Sequence, residues 1–524
     1  MSQNQSTSVS RRGVIVGGAA CAMTIVGASV AHAEQAAQDA QTVAAVPSFL
    51  QKPEPIVDIA ETKEYDVVVL GAGSAGMAAA LKANEEGAKV AVLQKLDFAS
   101  TQGFTAVGLD SDTDDATREG FVSHLMLLND LRSKRELLEA WAQTSGEVIK
   151  WHRDVLTQAG AEVPAEEDSR YTRDCNGYEA HFLMARPVGT HAASISLLAD
   201  YAVSKGVEIF YGTPAVQLVC DGGAVTGVIG GVEGAYTQFN ASKGVIVATG
   251  DYQCNEEMIS YYCPDCLHFP PLIVGRTGDG HRMGVWAGGH IEPINHTKMI
   301  HDVWMQFAPY MMVNTDGVRF CDEHIPWFRI NNLMRDMIKE HAADPENARI
   351  FSIMDATYVD QATEWANYDE QITPKEVPSE DETTLGDYML VLKADTIEEL
   401  AEKMGVDPAA LQASVERYNE LAAKGADDDF GKDAHFLAPI SEPPFYSVQR
   451  DFNWGLSATL GGLVVDAEQR VLDDNDEPIP GLFAAGNASG PFFGGVDYPM
   501  TFGGLSVGRA ITGGYIAGRV AANL

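Results

Sequence analysis

The sequence predicts an α/β fold organised around a dinucleotide-binding unit. Residues 66–70 form a short apolar run, as expected for a buried parallel strand. This run leads into the glycine-rich segment 71–76 and an Ala-rich stretch with helical periodicity, after which a second apolar run covers 90–93. Two later apolar runs, 244–250 and 481–487, have the same strand character. Buried strands that alternate with helices indicate a parallel sheet.

The glycine-rich segment reads Gly71-Ala-Gly73-Ser74-Ala75-Gly76. Gly71 allows a tight turn after the strand, Gly73 lets the backbone approach a pyrophosphate, and Gly76 lets the helix pack closely on the strand. Ser74 and Ala75 lie at the start of the helix, where unpaired N–H groups and the helix dipole favour an anion. This segment therefore predicts dinucleotide binding.

The end of the second strand departs from this pattern. An acidic residue is expected there to hold the ribose hydroxyls, but the chain has Gln94 followed by Lys95. Because an amide oxygen also accepts a hydrogen bond from a hydroxyl, both residues stay in the predicted cofactor site.

Composition narrows the classes of partner. The chain has 524 residues and a formal net charge of −38, with a pI near 4.5. Such a negative field repels nucleic acid and anionic membranes, so we expect no nucleic-acid partner. Seven cysteines in this length are too few for a disulfide scaffold.

The N-terminus is predicted to be a signal peptide, residues 1–33. Arg11-Arg12 precedes a weakly apolar segment, and Ala31-His32-Ala33 has the form of a cleavage site. The paired arginines resemble a twin-arginine signal, which implies the twin-arginine export machinery and a periplasmic or extracytoplasmic location. An uncleaved membrane anchor is the competing interpretation. Residues 34–63 are polar and contain Pro, as in a linker.

The middle of the chain contributes further candidate cofactor residues. The stretch 100–115 is rich in Gly, Thr and Asp and is predicted to be a loop beside the cofactor, which brings in Thr101, Gln102 and Gly103. Residues 118–160 and 190–205 have helical patterns, and 207–219 is predicted to form strands.

Each of the two later strands ends in a dipeptide that contains one glycine. One ends in Thr249-Gly250 and the other in Gly486-Asn487, and a small-residue helix follows over 503–518. With the first motif, these segments resemble the three-part FAD site of two-dinucleotide-fold flavoproteins. The FAD-binding residues that the pattern and this resemblance imply are Gly71, Gly73, Ser74, Ala75, Gly76, Gln94, Lys95, Thr101, Gln102, Gly103, Ala215, Thr249, Gly250, Gly486, Asn487, Leu505 and Ser506.

The order of the segments resembles the fumarate reductase and succinate dehydrogenase flavoprotein family, over roughly residues 64 to 524. Within it the chain is similar to exported single-chain reductases such as flavocytochrome c fumarate reductase, urocanate reductase and cardiac glycoside reductase. Segments 278–280 with 287–289, and 314–323, also match. The resemblance implies non-covalent FAD and an FAD domain formed by 64–294 and 456–524. A mobile α+β capping domain, 295–455, would interrupt it.

Members of this family transfer a hydride between the flavin and a carbon–carbon double bond, and a side chain supplies the other proton. In fumarate reductases that side chain is an Arg after an Arg-Phe-x-x-Glu segment. Here 319–323 matches the segment, but Trp327 stands at the position of the Arg. Arg329 is the nearest candidate, and Arg335 is the next.

A substrate-binding His is also implied by the resemblance. His301 lies about where the family has it, and His296 and His324 are neighbouring alternatives. A structural role is open for each of the three.

The C-terminal segment argues against a dicarboxylate substrate. Fumarate reductases read GGVHGANRLGG where this chain reads GGVDYPMTFGG over 494–504, so Thr501 replaces the Arg that binds a carboxylate. A second family His is missing, because Ser457-Ala458 precedes Thr459. Losing two charge-assisted contacts costs about 1.5–3 kcal/mol each, so we expect no fumarate reduction.

Tyr498-Pro499 is instead similar to 3-ketosteroid Δ1-dehydrogenases, in which such a Tyr places a phenol near flavin and enone. Asn487 is also shared with them. Tyr498 is therefore the leading catalytic candidate, and a packing Tyr with its hydroxyl on a backbone carbonyl is the alternative. The mostly apolar stretch 490–502 suits an enone, an enoate or an aryl-alkene.

Four cysteines are spaced as a candidate cluster: Cys254, Cys263, Cys266 and Cys321. No His follows Cys266, so this is not a c-type haem site. An iron–sulfur cluster, a disulfide and free thiols all stay open, and no metal site is predicted.

The sequence thus predicts an exported FAD-dependent oxidoreductase that reduces a conjugated C=C bond of a small-molecule alkene. Because no haem motif or second nicotinamide site is evident, the electrons are expected from a partner protein, a cytochrome or quinol dehydrogenase. The alternatives are a ketosteroid-like dehydrogenase that runs in the oxidative direction and a non-catalytic flavin electron carrier.

Overall fold

The computed structural model describes residues 46–103, 105–300, 308–325, 327–340, 349–369, 372, 374, 383–384, 389–450, 455–499 and 501–524. The predicted signal peptide, His301 and Met500 lie outside them. The chain forms two units, 1–52 and 53–524. In the first unit the described residues contain one 3₁₀ turn, Ser48–Leu50.

The strands of the described residues all belong to the second unit. They are β1 (Ile59–Leu70), β2 (Val90–Leu93), β3 (Ala106–Leu109), β4 (Arg170–Asp174), β5 (Glu179–Ala185), β6 (Glu208–Phe210), β7 (Ala215–Asp221), β8 (Ala224–Gly230), β9 (Tyr236–Val247), β10 (Lys298–Ile300), β11 (Met311–Val313), β12 (Ile350–Met354), β13 (Thr383–Thr384), β14 (Met389–Ala394), β15 (Phe445–Arg450), β16 (Leu456–Thr459), β17 (Leu463–Val464), β18 (Arg470–Leu472), β19 (Pro478–Ala484) and β20 (Ser489–Gly490).

The α-helices of the same unit separate these strands. They are α1 (Ser74–Glu85), α2 (Asp115–Leu128), α3 (Arg135–Gln158), α4 (His191–Ser204), α5 (Glu256–Tyr262), α6 (Asp279–Trp286), α7 (Trp327–Glu340), α8 (Tyr358–Trp365), α9 (Ile397–Met404), α10 (Pro408–Lys424) and α11 (Leu505–Ala522). No helix in the described part of the chain is both long and apolar enough to span a bilayer.

The main sheet has the strand order β18-β19-β9-β1-β2-β6, with β7 and β8 attached through β9. β1 is parallel to both β2 and β9, and its last residue, Leu70, lies opposite Leu93 and Val247. β19 continues the parallel set along β9. Because these strands point the same way, the residues that follow β1, β9 and β19 converge at one edge of the sheet.

Helices α1 and α11 pack against each other at very short range. A Cβ on Gly514 would overlap the carbonyl of Ala75, and one on Gly518 would overlap the carbonyl of Ala79. Glycine is required at both positions because the two backbones touch there. This contact fixes the middle of α11 beside the start of α1.

A second, separate sheet has the order β11-β12-β15-β14-β13 and is antiparallel throughout. Helices α9 and α10 contribute to its apolar core, in which Phe351, Leu400, Leu411 and Tyr418 are buried. This α+β region lies within 295–455, the segment predicted to be the capping domain. Its boundaries and mobility stay predictions.

The structure corrects one loop and extends one strand. The predicted loop 100–115 contains β3, which pairs with β5 more than seventy residues later. That partner is too distant in sequence for a local pattern to reveal the strand. β1 begins at Ile59, inside the predicted linker, because Ile59–Leu70 pairs along most of its length with β9.

Candidate cofactor and active site

A cavity of about 550 Å³ opens at the carboxyl edge of the main sheet. It runs from the start of α1 to the start of α11 and is therefore built by segments that are far apart in sequence. Many of the predicted site residues line it, although their binding of FAD stays a prediction. These are Gly73, Ser74, Ala75, Thr101, Gln102, Gly103, Gly250, Gly486, Asn487, Tyr498 and Ser506.

The start of α1 has the geometry of a phosphate site. Gly71 has a φ of +110°, and a Cβ on Gly76 would overlap the carbonyl of Gly71. The helix begins after Gly73, which provides no side-chain cap. The first N–H groups of the helix are thus left for a ligand, and the residues present fit the diphosphate of FAD.

Two residues predicted at the ribose are turned away from the cavity. Gln94 is buried, and its Nε2 donates to the carbonyl of Phe98 at 2.7 Å. Its Oε1 lies 3.4 Å from the backbone N of Ala72. The ammonium of Lys95 is 2.8 Å from a carboxylate oxygen of Asp279. Both polar groups are therefore engaged within the protein.

Other predicted residues shape the site without lining the cavity. Ala215 is half-buried at the start of β7, and Leu505 is fully buried at the start of α11. Thr249 follows β9, and its Oγ1 has no hydrogen-bond partner among the described residues. This hydroxyl packs against α6, where a Cβ on Gly280 would overlap it.

A buried carboxylate joins three segments of the cavity wall. Asp251 accepts from Gln102 Nε2 at 2.8 Å and from the backbone N of Thr459 at 3.0 Å. Asn487 Nδ2 in turn donates to Gln102 Oε1 at 2.7 Å. Burial raises the pKa of Asp251. The sequence analysis missed Asp251, which directly follows the predicted Thr249-Gly250 pair.

Tyr498 lines the cavity near the start of α11. Its hydroxyl oxygen accepts from the backbone N–H of Ser506, at the start of α11, at 2.9 Å. Its own backbone N donates to the carbonyl of Lys298 at 3.0 Å. The side chain is buried, which raises the pKa of the phenol. The hydroxyl partner is therefore a donor, not the backbone carbonyl that a packing role predicted.

The other candidates that the structure describes do not line the cavity. Arg329 is exposed on α7 and does not line the cavity, and His301 lies outside the described residues. His296 is buried against Tyr252, 2.7 Å from its hydroxyl, and burial lowers its pKa to about 3. His324 lies 3.2 Å from Asp369.

The Arg-Phe-x-x-Glu segment, 319–323, takes part in a buried cluster of ion pairs. The guanidinium of Arg319 contacts Glu323 at 2.9 Å and Asp427 at 2.8 Å. Lys432 is 3.2 Å from Glu323, and all four side chains are almost completely enclosed. This cluster joins a segment that follows β11 to a segment that precedes β15, the last strand of the second sheet along the chain.

A second buried ion cluster ties α7 to the segment that carries Tyr498. Arg335 binds Asp497 through two hydrogen bonds, of 2.7 and 2.8 Å. Its Nε lies 2.8 Å from Asp265, which also accepts from Lys298 at 3.0 Å. Lys298 is fully buried. The cluster is electrically balanced, with two cations and two anions.

The cavity is also lined by residues that the sequence did not identify as candidate site residues. Arg276 lies two residues before the Gly278-Asp-Gly280 segment, whereas Met299 is near no such motif. Within the apolar stretch 490–502, Phe492 and Phe493 pack in the core and do not line the cavity, whereas Tyr498 and Phe502 do. The further lining residues are Thr105, Met184, Arg186, His191, Ala248, Arg276, Met299, Ser457, Ala458, Ala485, Phe502, Gly503, Gly504, Val507 and Ala510.

The candidate cysteine cluster is not assembled in the described residues. None of these four cysteines, Cys254, Cys263, Cys266 and Cys321, forms a disulfide with a described residue. Burial raises the pKa of Cys263 to about 11, which disfavours the thiolate that a metal needs. Within the described ranges no group of three or more His, Cys, Asp or Glu side chains could hold a metal ion.

Comparison with known proteins places this geometry in context. Residues 66–498 match the family described as FAD binding domain. The chain is 29% identical to vinyl phenol reductase of Lactiplantibacillus plantarum, over 88% of this chain and 97% of that protein. A flavocytochrome c3 fumarate reductase in its open conformation is 26% identical, with a TM-score of 0.63, and the match covers 89% of this chain and 79% of that one.

A steroid enzyme has the same fold. The 3-ketosteroid-Δ4-(5α)-dehydrogenase of Rhodococcus jostii has a TM-score of 0.65 and 24% identity, and the match covers 90% of this chain and all of that one. The predicted α/β FAD-binding fold and the resemblance to the fumarate reductase family are confirmed.

Proposed function

This chain belongs to the FAD binding domain family and is an FAD-dependent oxidoreductase, and on that premise we propose that it reduces the conjugated C=C bond of an uncharged aryl-alkene or enone. The observation that carries the proposal is the phenol of Tyr498 in the cavity, hydrogen-bonded to a helix N-terminus. FAD, bound without a covalent link, supplies the hydride.

Tyr498 is the proton donor in this proposal. Its oxygen already accepts the N–H of Ser506, so its own proton is available to a substrate carbon. The raised pKa of the buried phenol keeps that proton in place at neutral pH. The phenolate formed after transfer is stabilised by the same N–H and by the positive end of α11.

The surroundings of Tyr498 favour an apolar substrate. Met299 lies opposite Ala458 in the pairing of β10 with β16, and both line the cavity together with Phe502. Arg186 and Arg276 also line the cavity, but neither stands at the sequence positions, 458 and 501, where fumarate reductases have their dicarboxylate-binding residues. The likeness to vinyl phenol reductase, together with this apolar lining, favours an aryl-alkene over fumarate.

A ketosteroid-like dehydrogenase is the second candidate. It is favoured by Tyr498-Pro499 and Asn487, which are similar to the steroid enzymes. The same phenol would then polarise a ketone while the flavin accepts a hydride. A non-catalytic flavin carrier is disfavoured, because a carrier needs no apolar cavity beside the flavin.

A substrate screen under anaerobic conditions tests the proposal. Protein reduced with a viologen dye is offered 4-vinylphenol, a steroid enone and fumarate, and reoxidation is followed by absorbance. We expect turnover of the aryl-alkene and negligible turnover of fumarate. Brisk fumarate reduction would contradict the proposed pocket, and reaction only of a saturated ketosteroid with an oxidised dye would establish the second candidate.

We further propose that the protein is exported by the twin-arginine route and receives electrons there from a cytochrome or quinol dehydrogenase. Replacing both Arg11 and Arg12 with Lys is expected to retain the protein in the cytoplasm, because the export machinery recognises the arginine pair. Cell fractionation with immunoblotting measures this. Arg118→Lys is the matched control and should leave export unchanged, whereas export of the double variant would indicate the general secretory route.

A further inference from the structure

Arg276 is a cation in the cavity wall that forms no ion pair with any residue in the described ranges. Its Nη2 donates to the carbonyl of Ser100 at 3.1 Å, and its Nε is buried with no hydrogen bond in the described part of the chain. Asp251 is the one described carboxylate that acts on it, and no ion-pair contact joins the two. Burial lowers the pKa of Arg276. Its charge is thus left for a ligand to compensate.

The guanidinium lies beside the start of α1. A Cβ on Gly73, the residue before the helix, would lie 3.1 Å from the oxygen of Ser100 that Arg276 contacts. A Cβ on Gly250 would lie 3.0 Å from Arg276 itself. The helix terminus and the guanidinium therefore border the same part of the cavity, and both are positive.

At the position where the ribose of the adenosine is expected, the polar groups of Gln94 and Lys95 bind other residues of the protein. Gln94 stands in place of the acidic residue, and its amide binds Phe98 and Ala72 instead of facing the cavity. Lys95 is occupied by Asp279 and Thr277. Neither side chain offers the ribose hydroxyls the charged acceptor typical of this fold.

We propose that Arg276 and the N-terminus of α1 hold the diphosphate of FAD between them, and that this diphosphate, not the adenosine ribose, supplies most of the polar binding free energy. A guanidinium suits this position because it donates two parallel hydrogen bonds to phosphate oxygens. The inference rests on FAD binding, which family membership supports, and not on the alkene chemistry.

Flavin titrations test the inference without any measurement of turnover. Full-length protein is produced flavin-free in a riboflavin-starved auxotrophic host and titrated with FAD, FMN and riboflavin, following flavin fluorescence. Arg276→Gln is expected to weaken FAD binding about 10–100-fold, the range for lost charge-assisted hydrogen bonds. Riboflavin, which has no phosphate, should bind both proteins alike. The affinity of the wild type for FAD should also fall more steeply with added salt than that of the variant.

Three further variants complete the design. Arg276→Lys should recover part of the FAD affinity, and Arg282→Gln should leave it unchanged, since Arg282 pairs with Asp279 and does not line the cavity. Gln94→Ala should change it less than threefold. Equal losses of FAD and riboflavin in Arg276→Gln, unaltered FAD binding in that variant, or a comparable loss in Gln94→Ala would each overturn the inference.

Discussion

Tyr498→Phe is expected to lower the rate of alkene reduction by about 10²–10⁴-fold while FAD binding is retained, because it removes the only proton that the phenol can give. The lost hydroxyl leaves the N–H of Ser506 without its acceptor but opens no large cavity. The measurement is single-turnover oxidation of the reduced flavin by 4-vinylphenol.

The control for this variant is Tyr171→Phe. The Tyr171 hydroxyl lies 3.5 Å from the carbonyl of Gly503, next to the cavity but not lining it, so its removal should change the rate only slightly. Because burial raises the pKa of Tyr498, the wild-type rate should also stay level between roughly pH 6 and 9. A normal rate in Tyr498→Phe would assign Tyr498 to packing and move the search for the donor elsewhere.

Arg335→Met is expected to lower the free energy of unfolding by about 3–5 kcal/mol, because it leaves the buried carboxylate of Asp497 without its cation. Asp265 keeps Lys298 as a partner, so the loss falls mainly on Asp497. Urea denaturation followed by tryptophan fluorescence measures the change.

Two comparisons separate this effect from a simple loss of packing. Adding Asp497→Asn to Arg335→Met should recover part of the stability, because no unpaired charge is then buried. Arg417→Met removes an ion pair to Asp429 at the surface and should change stability little. Equal unfolding midpoints for the wild type and Arg335→Met would show that Asp497 is solvated or protonated when its partner is absent.

This cluster also bears on the proposed reaction. Asp497 precedes Tyr498 directly, and the backbone N of Tyr498 binds the carbonyl of Lys298. The ion pairs of Arg335 therefore hold the segment on which the phenol is mounted. No pattern near Arg335 in the sequence indicates such a role, because its two carboxylate partners, Asp265 and Asp497, are 70 and 162 residues away.

The sequence by itself determined the dinucleotide-binding unit. The second strand was predicted at 90–93 and occurs at Val90–Leu93, and the helix follows the glycine-rich turn as expected. Strand, turn and helix are specified by neighbouring residues, through apolar periodicity and the need for glycine at Gly71 and Gly76. Such local requirements can be recognised in the sequence without any knowledge of the fold.

Only the tertiary structure decided which polar groups meet. The hydrogen bonds from Asn487 to Gln102 and from Gln102 to Asp251 join residues 385 and 149 positions apart. Likewise, the hydroxyl of Tyr498 accepts its hydrogen bond from Ser506 at the start of α11, and the amide of Gln94 donates to the carbonyl of Phe98. The physical reason is that parallel strands bring their carboxyl ends to one edge of the sheet. Side chains from distant segments then compete there for the same donors and acceptors, and that competition has no local signature in the chain.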